Sequence, residues 1–490
     1  MQRREALRKL GYGTLGLWLL PASRAASGPP ARAPLLPLDD LEDLARRIRE
    51  TPRDRILTLA AEVRGAGAEI TALLGAVFLA GLRDIRPWHV GGKLHAVMMV
   101  ESTFLIAAAQ SERDAWLAAL WNLDDFKRSQ ARDADDGDWV LGPRPEFAAS
   151  SEAAARKEFL AAMAAWDHER ADRAIVALLP FHDRESIFEL LWPLAARSFV
   201  NIGHKIIYAS QLERTLRRID WKYAEPALRS LVMALLFQPS GRLTAAYERS
   251  VELTASLPDG WIDGDEAPGR SATLLRELRT ADWKGAQDRV VTAFRDGLGP
   301  RTVWDGLRLR AAEVFLHRSS STPSRREALL PVHAVTVINA FGHAWRTSRS
   351  DRTRRVMLLQ AAAWLDELHA WLDKNVGLAD AKTLDELGQA KDGAPENLSA
   401  LLEQPSAERA RQFLDRHPQQ APDYVTRLQR NLIHRAVEHH QHKYAAAFAE
   451  EAGLAHPRWA SLLLAPALPY MPPAIEPASE FTRRALASLA

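Results

Sequence analysis

The stretch ITALLGAVFLAGLRDI, residues 70 to 85, decides the fold class of this chain. Its apolar side chains recur every three or four residues, which is the period of an α-helix. The same period continues outward, in LDDLEDLARRIRE on one side and in KLHAVMMVESTFLIAAAQ on the other. Strict alternation of apolar and polar residues, the pattern of a half-buried strand, is scarce along the whole chain.

This pattern predicts an all-α fold of roughly 15 to 20 helices. No fixed repeat of about 30 to 45 residues stands out, so we expect a large irregular multi-helix assembly rather than a regular solenoid. The loop SLPDGWIDGDEAPGRS predicts a division into an N-terminal helical lobe, residues 38–256, and a C-terminal helical lobe, residues 271–490. One continuous all-α unit is the alternative.

The composition excludes several classes of function. The 490 residues carry 64 basic and 62 acidic side chains, a formal net charge of +2, which argues against a nucleic-acid-binding surface. The chain has no cysteine, which excludes disulfides, thiolate nucleophiles and cysteine-ligated iron–sulfur clusters. Any bound metal must therefore be held by histidine, aspartate, glutamate or backbone oxygen.

The N-terminus, residues 1–26, resembles a twin-arginine signal peptide, with Arg3 and Arg4 followed by Leu7 and a short apolar run. A proline-rich lead-in, residues 27–37, comes next. We expect the protein to be exported already folded, to the periplasm or outside the cell. The apolar run is shorter than the roughly 20 residues that span a bilayer, so no stable membrane span should remain after cleavage. An uncleaved basic amphipathic helix that serves as an anchor is the alternative.

Several of the 15 histidines lie in strongly apolar helical segments. His95 lies in GGKLHAVMMVES, His204 in SFVNIGHKIIYASQ, and both His333 and His343 in PVHAVTVINAFGHAWR. A buried imidazole must satisfy its two ring nitrogens with hydrogen bonds or with a metal ion. Ten residues of helix rise about 15 Å, so one ion cannot easily take both His333 and His343. These residues are therefore either metal ligands completed by other helices or buried structural hydrogen bonders.

The run HRAVEHHQHKY, residues 434 to 444, holds four histidines within nine residues. On one ideal helix, at about 100° per residue, their side chains do not converge. We expect a mostly solvated or interface face, with His440 turning inward. At most two of these histidines, together with Glu438, could bind one ion without help from another helix.

Five segments resemble a bacterial all-α family that is sometimes attached to a Rieske-type ferredoxin domain. They are ALLGAVFLAGLRDIRPWHVGGKLHAVMMVES, LWNLDDFKRSQARDADDGDW, RSFVNIGHKIIYASQLERTLRRIDWKYAEPALRSLVMALL, PVHAVTVINAFGHAWRTSRSDRTRRVMLLQAAAWL and HHQHKYAAAFAEEAGLAHPRWASLLLAPAL. The GHK and HAVT segments are also similar, more distantly, to questin oxidase-like proteins, which are helical oxygenases of aromatic polyketides. The histidines at matching positions are His95, His204, His333, His343 and His440. The chain has no C-x-H and C-x-x-H pair of a Rieske cluster, so a redox partner would be a separate polypeptide.

Two functions from different classes remain. The leading hypothesis is an exported oxidoreductase, or a partner of one, whose histidines line a pocket for a transition metal (iron, zinc or copper) or for an oxidisable organic substrate. Its metal ligands would be His95, His204, His333, His343 and His440. Its catalytic residues would be His204 and His333, with Tyr208 and Lys205 as proton donors.

The partner implied by this hypothesis is a separate Rieske-type or other redox protein. The alternative is a non-enzymatic all-α binding or scaffold protein whose histidines are structural. The position of the five histidines separates the two hypotheses, since their convergence on one place would favour the first.

Overall fold

A computed structural model describes residues 41–88, 90–146, 149–238, 244–317, 329–376, 382–387, 395–474 and 476–489. The predicted signal peptide and proline-rich lead-in lie outside the described residues. Export by the twin-arginine route therefore stays a prediction.

The described residues fold into 22 α-helices and no strand, with one isolated β-bridge between Asp265 and Leu298. The all-α prediction is confirmed. The first eleven helices, α1 to α11, are Leu41–Glu50, Ile56–Gly65, Ile70–Asp84, His95–Ala107, Glu112–Asp135, Glu152–Ala165, His168–Leu178, Arg184–Ala196, His204–Ile219, Ala224–Leu235 and Ala245–Leu253.

The remaining helices, α12 to α22, follow the predicted boundary loop. They are Pro268–Arg279, Trp283–Arg295, Pro300–Leu316, Val332–Thr347, Asp351–Val376, Leu398–Glu403, Ala407–Arg416, Ala421–Arg435, His439–Leu454, Ala460–Leu464 and Glu480–Ser488. The total exceeds the predicted range because helices such as α17 and α21, with 6 and 5 residues, are too short to show a period in the sequence.

Many helices begin where the sequence provides a cap. The hydroxyl of Ser111 accepts from the Asp114 amide at the start of α5, and the Asp183 carboxylate accepts from the Ser186 amide at the start of α8. Pro300 opens α14, where its missing amide hydrogen costs nothing. These residues satisfy or avoid the backbone donors that a helix start leaves free.

A single cluster of buried hydrophobic side chains runs from Leu41 in α1 to Leu489 just after α22. It includes residues from both predicted lobes, and the division into two lobes stays a prediction. None of the described helices combines the length and the apolar character needed to cross a membrane.

Four helices that are distant in sequence pack pairwise in a ring. Helix α4 contacts α9 and α20, and α15 contacts the same two helices. Buried polar contacts tie three of the four together further along their length. Arg214 on α9 donates to Glu450 on α20 at 2.7 Å, and Asn339 on α15 donates to Glu451 at 2.7 Å. The ring brings the starts of the four helices to one place.

Candidate metal centre

Five histidine side chains meet where α4, α9, α15 and α20 begin. They are His95, His204, His333, His439 and His440, and each occupies the first or second position of its helix. Ring centroids of contacting pairs lie from 4.2 Å apart, for His95 and His439, to 6.5 Å apart, for His204 and His440. All are buried except His439, which is partly buried. Four of the five histidines predicted as ligands therefore converge.

The start of α9 is built around a left-handed turn. Asn201, Ile202 and Gly203 have φ angles of +56°, +50° and +78°, and His204 follows them directly. A positive φ suits glycine but strains a β-branched residue such as Ile202. Strain of this kind persists where the surroundings impose it, as at functional sites. The Asn201 side chain donates to the Val90 carbonyl, which fixes the turn against the loop before α4.

The backbone sets the tautomer of His204 and of His333. The Nδ1 atom of His204 lies 2.6 Å from the Asn201 carbonyl oxygen, and the Nδ1 atom of His333 lies 3.0 Å from the Leu330 carbonyl oxygen. A carbonyl oxygen can only accept, so each Nδ1 donates and each Nε2 carries a lone pair. These two Nε2 atoms lie 3.2 Å apart. Two neutral rings so arranged point lone pairs at each other, which calls for a cation between them.

The spacing of the two Nε2 atoms fits a shared metal ion. Imidazole nitrogens bind zinc at about 2.0–2.1 Å, which places two such nitrogens about 3.3 Å apart in a tetrahedral site. A shared proton is the other cation that could lie there. Burial opposes it, since it lowers the pKa of His333 to about 3 and the pKa of His204 well below its ordinary value. Coordination can overcome the burial cost, because structural zinc sites contribute about 10–16 kcal/mol.

His440 could supply the third nitrogen of such a site. Ligand atoms of His204, His333 and His440 all lie within 4.8 Å of one another. The Nδ1 atom of His440 donates to Oε2 of Glu438 at 2.7 Å, which leaves Nε2 outside that hydrogen bond. A carboxylate that orients a histidine and raises its basicity in this way is the usual outer partner of a metal-bound imidazole. The residues present therefore fit a three-histidine metal site.

A second group of three histidines shares His440. Ligand atoms of His95, His439 and His440 also lie within 4.8 Å of one another. The amine of Lys443 donates to Nδ1 of His95 at 3.1 Å, and Nδ1 of His439 lies 3.5 Å from Oδ2 of Asp125. With Nδ1 of His440 held by a carboxylate, that ring has one nitrogen for either group. The two groups are alternatives around one centre.

Burial keeps the central imidazoles neutral. It lowers the pKa values of His95 and His440 well below the ordinary range, as it does for His204 and His333, and nearby Lys443 adds to the effect. The neutral imidazole is the form that binds a metal. The centre is therefore in its metal-binding protonation state at neutral pH.

The structure does not bring the fifth predicted ligand, His343, into this cluster. Its Nε2 atom donates to Oε2 of Glu213 at 2.7 Å, and its ring meets the edge of Trp192. His333 and His343 lie on the same helix, ten residues apart, so the predicted separation of the two holds. His343 belongs to a buried ion-pair region instead.

The two predicted proton donors also point elsewhere. The Tyr208 hydroxyl lies 2.7 Å from the hydroxyl of Ser230, and burial raises the pKa of Tyr208. The Lys205 amine donates to the Phe237 carbonyl at 2.8 Å, and burial lowers its pKa to about 7. Neither side chain has a described hydrogen bond to the clustered histidines. His204 and His333 themselves lie at the centre.

The predicted face over residues 434–442 was mostly solvated or an interface; the solvated form is wrong, although His440 does turn inward as predicted. His440 and His442 are buried, and the His442 ring packs against Trp121, tilted by 33° with the ring centroids 4.4 Å apart. The prediction failed because it placed the whole run on one helix. Helix α19 ends at Arg435 and α20 starts at His439, so the run contains a turn.

The sequence does not predict the roles of three residues in the histidine cluster. They are His439, Lys443, and Glu438 as a helix cap and hydrogen-bond partner. A signal for them existed, because Glu438 can accept from the amides of a helix that starts just after it, and it does so from the amides of His440 and Gln441. A cap at Glu438 would have placed both His439 and His440 in a first turn.

Comparisons of the chain with protein-family models, with curated proteins and with solved structures found no match.

Proposed function

We propose that this protein is a metal-dependent oxidoreductase whose ion is held by His204, His333 and His440. The observation that carries the proposal is the pair of Nε2 lone pairs 3.2 Å apart on His204 and His333, both on rings whose Nδ1 atoms bond to carbonyl oxygens. Three protein ligands leave at least one coordination position for water or substrate, as in catalytic rather than structural sites.

The donor set narrows the choice of ion without fixing it. Neutral imidazoles suit iron, copper and zinc. Iron or copper would exchange single electrons with a substrate or a redox partner, whereas zinc would polarise a bound water. The resemblance to helical oxygenases and to a Rieske-associated family favours the redox ions. A Rieske-type partner cluster would lie on another polypeptide, since this chain has no cysteine.

Two variants on helix α15 test the metal site against a matched control. His333→Gln removes a proposed ligand, and His343→Gln removes another buried histidine of the same helix that lies outside the cluster. The metal content and absorption spectrum of each are measured on protein exported through its own N-terminal segment. We expect wild type and His343→Gln to hold one ion per chain and His333→Gln to lose it.

The alternative function, a binding or scaffold protein with structural histidines, predicts a different outcome. All three proteins would then be colourless and free of metal, and His333→Gln would differ from wild type only in stability. A stoichiometric zinc ion without any redox-active metal would keep the site but replace the redox chemistry with hydrolytic chemistry.

A further inference from the structure

We propose that the centre binds an anionic group, of the carboxylate type, which coordinates the metal and accepts a hydrogen bond from Lys443. This inference rests on the proposed metal site and names the class of its substrate or co-ligand. Two observations support it: the positive charge around the five histidines, and the hydrogen-bond donors of Lys443 that the protein does not use.

Four helix starts point at the cluster. The first residues of α4, α9 and α20 are His95, His204 and His439, and His333 is the second residue of α15. Each helix start carries a partial positive charge, equivalent to about half an elementary charge, and favours an anion nearby. Together with a divalent ion, these four starts make the site strongly positive.

The carboxylates near the cluster are already engaged. Glu438 accepts from two backbone amides and from His440. Asp125 pairs with Arg128 at 2.8 Å besides its contact with His439. Two engaged carboxylates do not balance a divalent ion and four helix starts. Lys443 is not counted here as a full charge, because burial lowers its pKa to about 7. A buried excess of positive charge is costly, so an anionic ligand from outside is favoured.

Lys443 has hydrogen-bond capacity that the protein does not fill. The residue is 1% exposed, and its amine makes one described hydrogen bond, to Nδ1 of His95. The comparison is Lys127, another buried lysine, whose amine donates to the carbonyls of Ile48 and Arg49 and to the side chain of Gln130. A lysine amine has up to three donors. The unused donors of Lys443 therefore suit an acceptor bound beside the histidines.

The test uses the full-length protein loaded with Co²⁺, whose visible spectrum reports ligand binding. Azide serves as a small anionic probe, formate as the carboxylate probe, and imidazole as a neutral one. We expect Lys443→Met to keep Co²⁺ while it binds azide and formate at least tenfold more weakly, and to bind imidazole as wild type does. Lys127→Met should match wild type for all three ligands, and Lys443→Arg should restore part of the anion affinity.

Each other outcome overturns a defined part of the account. Equal anion affinity in wild type and Lys443→Met would overturn the anion site and leave the metal site standing. The anion site would also be overturned if the wild-type protein bound imidazole more tightly than azide and formate. This result needs no variant, so it holds even if Lys443→Met fails to fold. Absence of a Co²⁺ spectrum in the wild type would overturn the metal site and this inference together.

Discussion

At the scale of single residues, the centre depends on which ring nitrogen each histidine presents. In His204 and His333, Nδ1 donates a hydrogen bond to a backbone carbonyl, whereas in His440 it donates to the Glu438 carboxylate. A carboxylate partner makes the opposite ring nitrogen more basic, so we expect Nε2 of His440 to bind the metal most strongly of the three. The charge of Glu438 is therefore part of the proposed metal site although Glu438 is not a proposed ligand.

We expect Glu438→Gln to weaken metal binding by about 10- to 100-fold, the usual cost of losing an outer partner. The amide cannot serve both as acceptor for His440 and as cap for the two backbone amides. Loss of a cap alone costs about 0.5–2 kcal/mol of stability. Ser406→Ala removes the cap of α18, where Ser406 accepts from the Arg409 amide. It should lower stability but leave the dissociation constant for the metal unchanged, and an equal loss of affinity in both variants would contradict the assignment.

A second prediction at this scale concerns the loop that precedes His95. Gly91 has φ +118°, and a Cβ there would lie 2.9 Å from Nδ2 of Asn201 and 3.3 Å from the His204 ring. Gly92 has φ +48° and nothing within 4 Å of such a Cβ. We expect Gly91→Ala to displace His204 and lose the metal, with a cost in stability of about 1–3 kcal/mol.

Gly92→Ala is the matched control for this loop. It should cost about 1–2 kcal/mol for the left-handed conformation and keep full metal content. Metal analysis gives the ion content of the two variants, and chemical denaturation gives their free energy of unfolding. Retention of the ion in Gly91→Ala would show that the close approach to His204 does not position the ligand.

The identity of the central residues was largely readable from the sequence, but their positions were not. His95, His204 and His333 stand out because imidazoles in apolar segments need partners, and His440 stands out as the inward-turning member of the histidine-rich run. The apolar period predicts positions inside helices, whereas all four stand in first turns. The glycines before His95 and His204 and the proline before His333 are the local signals of those helix starts. The hydrogen bond of His343 to Glu213 could not be predicted, since it joins helices 130 residues apart.

At the scale of helices, α15 carries two histidines with different roles. His333 at its start belongs to the histidine cluster of the proposed metal centre, and His343 in its second half contacts Glu213 on α9. Burial lowers the pKa of His343 to about 4, aided by the charge of Arg214. The pKa of Glu213 is also lowered, because hydrogen bonds from His343 and Arg217 outweigh its burial. The contact is therefore a neutral imidazole that donates to an ionised carboxylate.

This contact predicts a pH dependence of folding. The unfolded chain protonates His343 near pH 6.5, above the folded pKa of about 4. The unfolded state therefore binds the proton first, and stability falls as the pH drops from 6.5 to 4, by up to roughly 3 kcal/mol from this residue. His343→Gln should show a shallower decline than wild type over this range in denaturant titrations. Parallel declines would contradict a depressed pKa for His343.

Helix content was predictable, because each long helix has its own apolar period and helix propensity. Which helices meet was not, since the ring of α4, α9, α15 and α20 joins segments whose contacts leave no local pattern. The periodic pattern of α20 continues back across the turn before His439, so the period alone predicts helix there. A cap therefore gave better information than a period at this point.

At the scale of the whole molecule, the centre joins four helices from distant parts of the chain. An ion bound there stabilises the folded state by mass action, about 4 kcal/mol when the free ion is at 1,000 times its dissociation constant. We expect a chelator to lower the thermal midpoint of wild-type protein by several degrees. His204→Gln should unfold at the same temperature with and without chelator. A chelator effect of equal size on both proteins would show that the ion binds away from His204.

The most direct test of the central claim is X-ray diffraction from crystals of the exported protein, recorded at the absorption edge of its bound metal. We expect one anomalous peak within bonding distance of Nε2 of His204, His333 and His440. Electron density that shows the three rings without a peak, or a peak away from them, would contradict it.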